Sequence, residues 1–201
     1  DVFESDEKLK TMKGPPMKIE LQEGAVPFSV YSTRPIPHHM RDKAEEAIFK
    51  MLDDGIIERV GDRHVPWCHP MVVAPKPDGG VRITVDLSKL NNQVKRTIHN
   101  ARTAADVVYD RVPDAQYFTT LDAKTGYWQI ELDEESRDLT TFLTPWGRFR
   151  YLRGAMGFVS TGDSYNLRGD QALEGLKQVT KIVDDIRVED KNFDEHVQRV
   201  R

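Results

Sequence analysis

Three aspartates stand against apolar neighbours in this sequence. Asp122 closes the run Tyr117-Phe118-Thr119-Thr120-Leu121, and Asp184 with Asp185 interrupts the apolar segment Ile182-Val183 and Ile186. A carboxylate in such company is costly unless it is paired or binds a cation. Carboxylate oxygens suit magnesium, which is typically held by one or two carboxylates together with substrate phosphates. Adjacent residues on a regular strand point to opposite faces, so Asp184 and Asp185 serve one site only if they lie at a tight turn. If the end of the Asp122 run lies beside that turn, the three side chains suit a pair of metal ions and an in-line phosphoryl displacement. An Asp-Asp pair by itself is usually a solvated turn, so the assignment needs independent parts.

The elements that must position these residues follow from patterning. Met40, Ala44, Ala47, Ile48, Met51 and Leu52 recur at helical spacing before Gly55, which predicts a helix over 38–54. PMVVAPK and VRITVDL flank Asp78-Gly79-Gly80 and read as a hairpin. Residues 103–111 form a short helix capped by Thr103, YFTTLD and YWQIEL are strands, and TTFLTP pairs with FRYLR about Trp146-Gly147. Residues 161–176 are helical, KIVDDIRV is a strand, turn and strand, and residues 192–201 open a last helix. The first 24 residues, polar and broken by Gly14-Pro15-Pro16, read as a linker, and prolines keep residues 27–37 extended. Helices and antiparallel hairpins alternate without a regular βαβ period, so the class is α+β.

Composition bounds the partners. The 201 residues carry 29 Lys+Arg against 33 Asp+Glu, a net charge of −4, with 38% hydrophobic residues. Such a chain can bury a core, and it does not coat nucleic acid by bulk charge. No run approaches the ~20 apolar residues of a membrane helix, the N-terminus has no signal-peptide pattern, and no membrane partner is expected. Cys68 is the sole cysteine, so no intrachain disulfide forms. His64, Cys68 and His69 offer one thiol and no second ligand pair, a poor set for tetrahedral zinc.

Longer motifs supply the independent parts. PKPDGGVRITVDLSKLN, YFTTLDAKTGYWQIELDEESRDLTTFLTPWGRFRYLRGAMGF and IVDDI, in that order, resemble the reverse transcriptases of gypsy-type long-terminal-repeat retrotransposons and, more distantly, those of retroviruses. The resemblance covers essentially the whole chain. It implies the fingers and palm of a right-hand polymerase with an antiparallel palm sheet, truncated before the thumb. The fingers are expected over 25–97 and 131–159, and an incomplete palm over 98–130 and 160–201. It also implies template-directed transfer of a deoxynucleotide to a primer 3′-hydroxyl. Asp122 matches the first catalytic aspartate, and Asp184 with Asp185 the paired aspartates, all three as ligands for Mg2+ or Mn2+. Tyr127 is similar to the residue that excludes a 2′-hydroxyl from the incoming sugar, although an aromatic in Gly-Tyr-Trp is also ordinary core. Lys76 and Arg82 resemble the residues that grip the triphosphate, where the planar fork of Arg suits paired phosphate oxygens. Met156 and Gly157 match the segment lining the nucleotide pocket, Gly157 because a missing Cβ permits close approach. Here the sequence departs from the family pattern, with Ala155 where Pro is common and Ser160-Thr161-Gly162 before the next helix.

Template and primer require a basic surface, since phosphate charge supplies most sequence-independent affinity. Lys89, Lys95, Arg96 and Arg102 make one patch, and Arg148, Arg150 and Arg153 another with Trp146, Phe149 and Tyr151 interleaved. Expected partners are an RNA or DNA template with its primer, deoxynucleoside triphosphates, and the thumb, ribonuclease H and integrase domains of a parent polyprotein. An intracellular particle in the cytoplasm is the expected location. Two rivals stand beside the polymerase: an inactive relic or interaction module that keeps the fold, and a two-metal nuclease, which has no use for Tyr127 or a triphosphate clamp.

Overall fold

A computed structural model describes residues 9–201. In chain order its elements are α1 (His38–Asp53), β1 (Ile57–Arg59), β2 (His69–Pro75), β3 (Val81–Val85), α2 (Ser88–Asn91), α3 (Ala104–Tyr109), β4 (Tyr117–Asp122), α4 (Glu134–Arg137), β5 (Phe142–Thr144), β6 (Gly147–Tyr151), α5 (Val159–Ala172), β7 (Val179–Ile182), β8 (Asp185–Asp190) and α6 (Phe193–Val200). They form two compact units. One comprises residues 9–97 with Tyr127–Thr161, the other Ile98–Gly126 with Gly162–Arg201.

The first unit is built on a five-stranded sheet in the order β1-β6-β5-β2-β3. Its centre is aromatic: Phe142, Phe149 and Tyr151 are fully buried, with Phe142 6.0 Å from Phe149 and 5.4 Å from Tyr151 between ring centroids. Such rings remove large apolar areas from water and add an edge and face preference that fixes their packing. Helix α1 buries Ala44, Ile48 and Met51, spaced by four and three residues. It stops where the sequence predicts: Gly55 is left-handed at φ 67, its N–H donates to Leu52, and the Ile56 N–H reaches back to Met51. Ile56 and Met51 are both buried, which completes the apolar contact of that cap.

Two expectations fail in this unit, each for a packing reason. Of the expected linker over 1–24, residues 1–8 lie outside the described residues, and residues 9–24 do not behave as a linker throughout, because Met17 and Ile19 are buried and the chain is pinned in passing. The Met17 N–H donates to the Glu131 carbonyl at 2.8 Å and the Ile19 N–H to the Ser136 hydroxyl at 2.9 Å. Polar composition hid two anchoring side chains. The segment YWQIEL is not a strand: Gly126–Gln129 is a 3-10 turn, and Glu131 and Leu132 make isolated bridges, to Arg153 and Met17. Thr125 ahead of it is left-handed at φ 49, which reverses the chain before the alternation of buried Ile130 and Leu132 begins.

The second unit is a three-stranded antiparallel sheet in the order β4-β8-β7. One loop-side cover is α3, whose Thr103 and Asp106 exchange the two hydrogen bonds of a capping box. Helix α6 is anchored by the wholly buried Asp190, which accepts from Arg199 Nε at 2.9 Å and faces His196 Nδ1 at 2.8 Å. The other ring nitrogen of His196 lies 2.7 Å from the Thr119 hydroxyl. A buried carboxylate so enclosed is compensated, and it ties the helix to the sheet.

Candidate functional site

The pairing of β8 sets Asp122 against Asp185, beside the turn that carries Asp184. β4 runs antiparallel to β8 with Asp122 directly opposite Asp185, and β7 runs antiparallel on the other side with Ile182 opposite Asp185. Directly opposed residues of an antiparallel pair share a face, with Cβ atoms ~5 Å apart. The Asp122 and Asp185 side chains therefore rise from one face at one end of the sheet. Between Ile182 and Asp185 only Val183 and Asp184 remain, a two-residue hairpin turn, and the Asp184 carbonyl accepts from the Ala123 N–H at 3.0 Å. This last bond staples the turn to the end of β4.

The turn is strained. Val183 lies at φ 54, a region in which a β-branched side chain is a genuine outlier costing ~1–2 kcal/mol. All three carboxylates are exposed, and among the described residues none takes part in an ion pair. Nor, among the described residues, are any three His, Cys, Asp or Glu side chains grouped to hold a metal ion by themselves. Two facing carboxylates beside a turn make an open, oxygen-only site. It is the kind that magnesium occupies with water and phosphate oxygens filling the remaining positions.

The other expected residues belong to the first unit. Arg82 lies on β3 opposite Ala74 of β2, and Lys76 opens the loop joining the two strands; both are exposed. That loop is held by the Lys76 N–H to Gly80 carbonyl bond at 2.9 Å, by Asp78 accepting from the Gly80 N–H at 2.9 Å, and by Lys43 Nζ on the Gly79 carbonyl at 2.7 Å. Tyr127 is half-buried in the 3-10 turn. Gly126 just before it has no room for a side chain, since a Cβ would stand 2.7 Å from the ring of Tyr165. Met156 is half-buried and Gly157 exposed, in the loop that precedes α5. Gly157 adopts φ 91, a conformation that favours glycine, and a Cβ there would stand a tight 3.3 Å from the Val85 carbonyl.

Asn91, which closes the motif PKPDGGVRITVDLSKLN, has a structural role that the sequence did not assign to it. Its amide donates to the Gly157 carbonyl at 2.9 Å and accepts from the Val159 N–H at 3.1 Å, bracketing the Met156-Gly157 loop. That role has no local signal, because its two partners lie more than sixty residues away in sequence.

The basic patches divide. Lys89 stands over the ring of Phe28 at 6.0 Å, and Lys95 and Arg96 are exposed. Arg148 donates to the backbone carbonyls of Gly61 and Arg63, contacts that leave its charge unneutralised. Arg150 differs. Only 13% of its side chain is exposed, and its guanidinium meets Glu58, Glu134 and Asp138 at 2.5, 2.7 and 2.8 Å. Arg63 also pairs with Asp138. Hydrogen bonding from Arg63, joined by Arg150, holds the Asp138 carboxyl below its ordinary range against the opposing effect of burial, and Arg150 does the same for Glu134. Arg150 is thus spent on the fold, and three carboxylates surround the charge that the sequence offered to a phosphate backbone.

Comparison with known proteins agrees with this architecture. The profile of the family described as reverse transcriptase (RNA-dependent DNA polymerase) matches residues 74–200. An uncharacterised protein of Caenorhabditis elegans is 30% identical over 183 residues, 90% of this chain and 14% of that protein. The Pol polyprotein of the Drosophila melanogaster transposon opus is 31% identical over 176 residues, 83% of this chain and 17% of the polyprotein. The chain thus spans about a sixth of the length of these relatives. The crystal structure of prototype foamy virus protease-reverse transcriptase superposes with a TM-score of 0.83 at 23% identity, over 96% of this chain and 25% of the viral one. That likeness carries the fold, a right-hand polymerase's fingers and palm. None of the helices in the described residues is long and apolar enough to cross a membrane. With the profile covering more than half its length and a 31% identical relative among transposon Pol polyproteins, the chain belongs to the reverse transcriptase family.

Proposed function

We propose that this chain is the fingers and palm of an RNA-directed DNA polymerase, with the unit of residues 9–97 and Tyr127–Thr161 as fingers and the β4-β8-β7 unit as palm. The observation that carries the reading is the register that sets Asp122 against Asp185 beside the two-residue turn bearing Asp184. In the reaction a primer 3′-oxygen forms a bond to the α-phosphorus of a deoxynucleoside triphosphate, the bond to the β-phosphate oxygen breaks, and pyrophosphate leaves.

Asp122 and Asp185 would hold magnesium, with Asp184 presented from the turn between them and Ile182. Bound there, divalent ions stabilise charge on the attacking and leaving oxygens. The chain's own residues do the rest. Exposed Arg82 and Lys76 supply cations for the triphosphate, and Arg can grip two phosphate oxygens at once. Tyr127 presents a ring that a 2′-hydroxyl would strike. Met156 and exposed Gly157, bracketed by Asn91, shape the base and sugar pocket. Lys89, Lys95, Arg96 and Arg148 are offered to phosphates of template and primer. A foamy virus neighbour with a TM-score of 0.81 was solved with an RNA/DNA hybrid, which favours the same class of ligand here.

The test is primer extension on an RNA template, run on this chain and on the polyprotein expected to contain it, with Asp185→Asn alongside. Magnesium-dependent extension that the substitution abolishes supports the proposal. Extension at an undiminished rate by the Asp185→Asn protein would refute it.

A further inference from the structure

We propose that Lys181 is a positioning residue for the metal-bearing hairpin. Buried behind the β7–β8 turn, its ammonium locks the left-handed peptide at Val183 and so fixes how Asp184 and Asp185 are presented. The inference rests on the metal-binding reading of the aspartates and concerns what holds their turn in shape.

Lys181 is 8% exposed, and lysine is almost never buried unless paired. Its ammonium has three donors, and three acceptors surround it: Asn166 Oδ1 at 2.9 Å, Asp170 Oδ1 at 3.3 Å and the Val183 carbonyl at 3.3 Å. Two of these come from α5 and the third from the hairpin turn. Alternation along β7 puts Lys181 on the face opposite Ile182, whose cross-strand partner is Asp185. The lysine therefore acts through the backbone and not on substrate.

The helix is built to receive it. Gly169 of α5 has side-chain carbons of Lys181 2.8 and 3.1 Å from where a Cβ would stand, so a larger residue there would push the end of the lysine side chain aside. The ammonium also lies 5.8 Å from the centre of the Tyr165 ring. Burial raises the Asp170 carboxyl's pKa, but a hydrogen bond with His99 and the charge of Lys181 outweigh it and hold that carboxyl below its ordinary range. The counter-charge is thus present at neutral pH. What the lysine steadies is the strained element itself, because a β-branched residue at φ 54 persists only where its surroundings over-determine it.

The test is Mn2+ binding to the 201-residue chain, followed by electron paramagnetic resonance, for the parent, Lys181→Met, Val183→Gly, the double variant and Asp185→Asn. Circular dichroism and thermal melts establish that each is folded. Lys181→Met should weaken Mn2+ binding about tenfold, since it releases a conformation costly to Val. In the Val183→Gly background the same substitution should cost about twofold or less, because glycine adopts positive φ without steric penalty. A role limited to general stability would give equal losses in both backgrounds and would overturn the proposal, as would unchanged binding by Lys181→Met. If Lys181→Met does not fold, Lys181→Gln, which keeps a donor but no charge, is compared in the same two backgrounds, with the same two outcomes deciding. Loss of binding in Asp185→Asn without any effect at Lys181 sinks this inference alone. Unchanged binding in Asp185→Asn sinks the metal reading, and the positioning role falls with it.

Discussion

In the five-stranded sheet Arg150 is enclosed by Glu58, Glu134 and Asp138, while in the three-stranded sheet Asp122, Asp184 and Asp185 stand exposed and, among the described residues, outside any ion pair. Both regions gather like residue types at a strand register. The first closes its charge balance within the protein, with Arg63 joining on Asp138. The second leaves like charges side by side and adds a strained turn at Val183. Carboxylates that repel one another on an edge of a fold contribute nothing to its stability, so their company calls for a ligand from outside. A charged cluster is read by its balance, not by its composition.

The largest expected effect tests the open side of this contrast. Asp185→Asn, assayed in magnesium-dependent primer extension, should lower the rate about a thousandfold, the scale of losing several kcal/mol of transition-state stabilisation from the metals. Its melting temperature should hold or rise, since an exposed like charge has been removed. A fall in stability matching the fall in rate would erase the distinction between the two regions.

The balanced side should behave in reverse. Arg150→Met should destabilise the chain by about 2–3 kcal/mol in urea unfolding, because it strands three carboxylates around a mostly buried position. Nucleic-acid affinity of the folded fraction should be unchanged. A selective loss of template binding with no loss of stability would return Arg150 to the phosphate backbone.

Gly126→Ala sharpens the comparison by disturbing the chain just beyond the Asp122 strand. A methyl at this site meets the ring of Tyr165 at 2.7 Å, and overpacking of that kind costs about 1–3 kcal/mol. Thermal unfolding should register it, whereas Gly157→Ala should be felt chiefly as backbone strain at φ 91.

The smallest effect is acid sensitivity. Glu134 and Asp138 have folded pKa values depressed by their arginines, so their contribution to stability is complete above the unfolded values and disappears as pH falls through the folded ones. Thermal midpoints should be flat from pH 7 to about 5 and decline below about pH 4, where carboxylates of ordinary pKa protonate in the unfolded chain. The decline should be shallower in Arg150→Met. An equally steep one would place the acid-labile pairs elsewhere.

Much of this architecture is legible in the sequence because its signals are local. The 38–54 helix has its stripe and its glycine stop, the Asp78-Gly79-Gly80 turn its glycines, and the helix at Thr103 its cap; each is written within a few residues and depends little on the rest of the chain. The motif residues that form the candidate site were likewise visible as acids in apolar surroundings. What the sequence did not disclose depends on partners distant along the chain. Burial of Met17 and Ile19 is decided by residues 131 and 136, the turn at Gly126 by Tyr165, the bracket of Asn91 by residues 157 and 159, and the neutralisation of Arg150 by Glu58. Lys181 belongs with these, because its three acceptors exist only once α5 lies against β7. By itself, then, the sequence determined most of the helices and hairpins and marked the three acids of the candidate site. Only the tertiary structure decided which charges are cancelled and which remain available, because hydrogen bonds and ion pairs act over a few ångströms of space, whatever the separation along the chain.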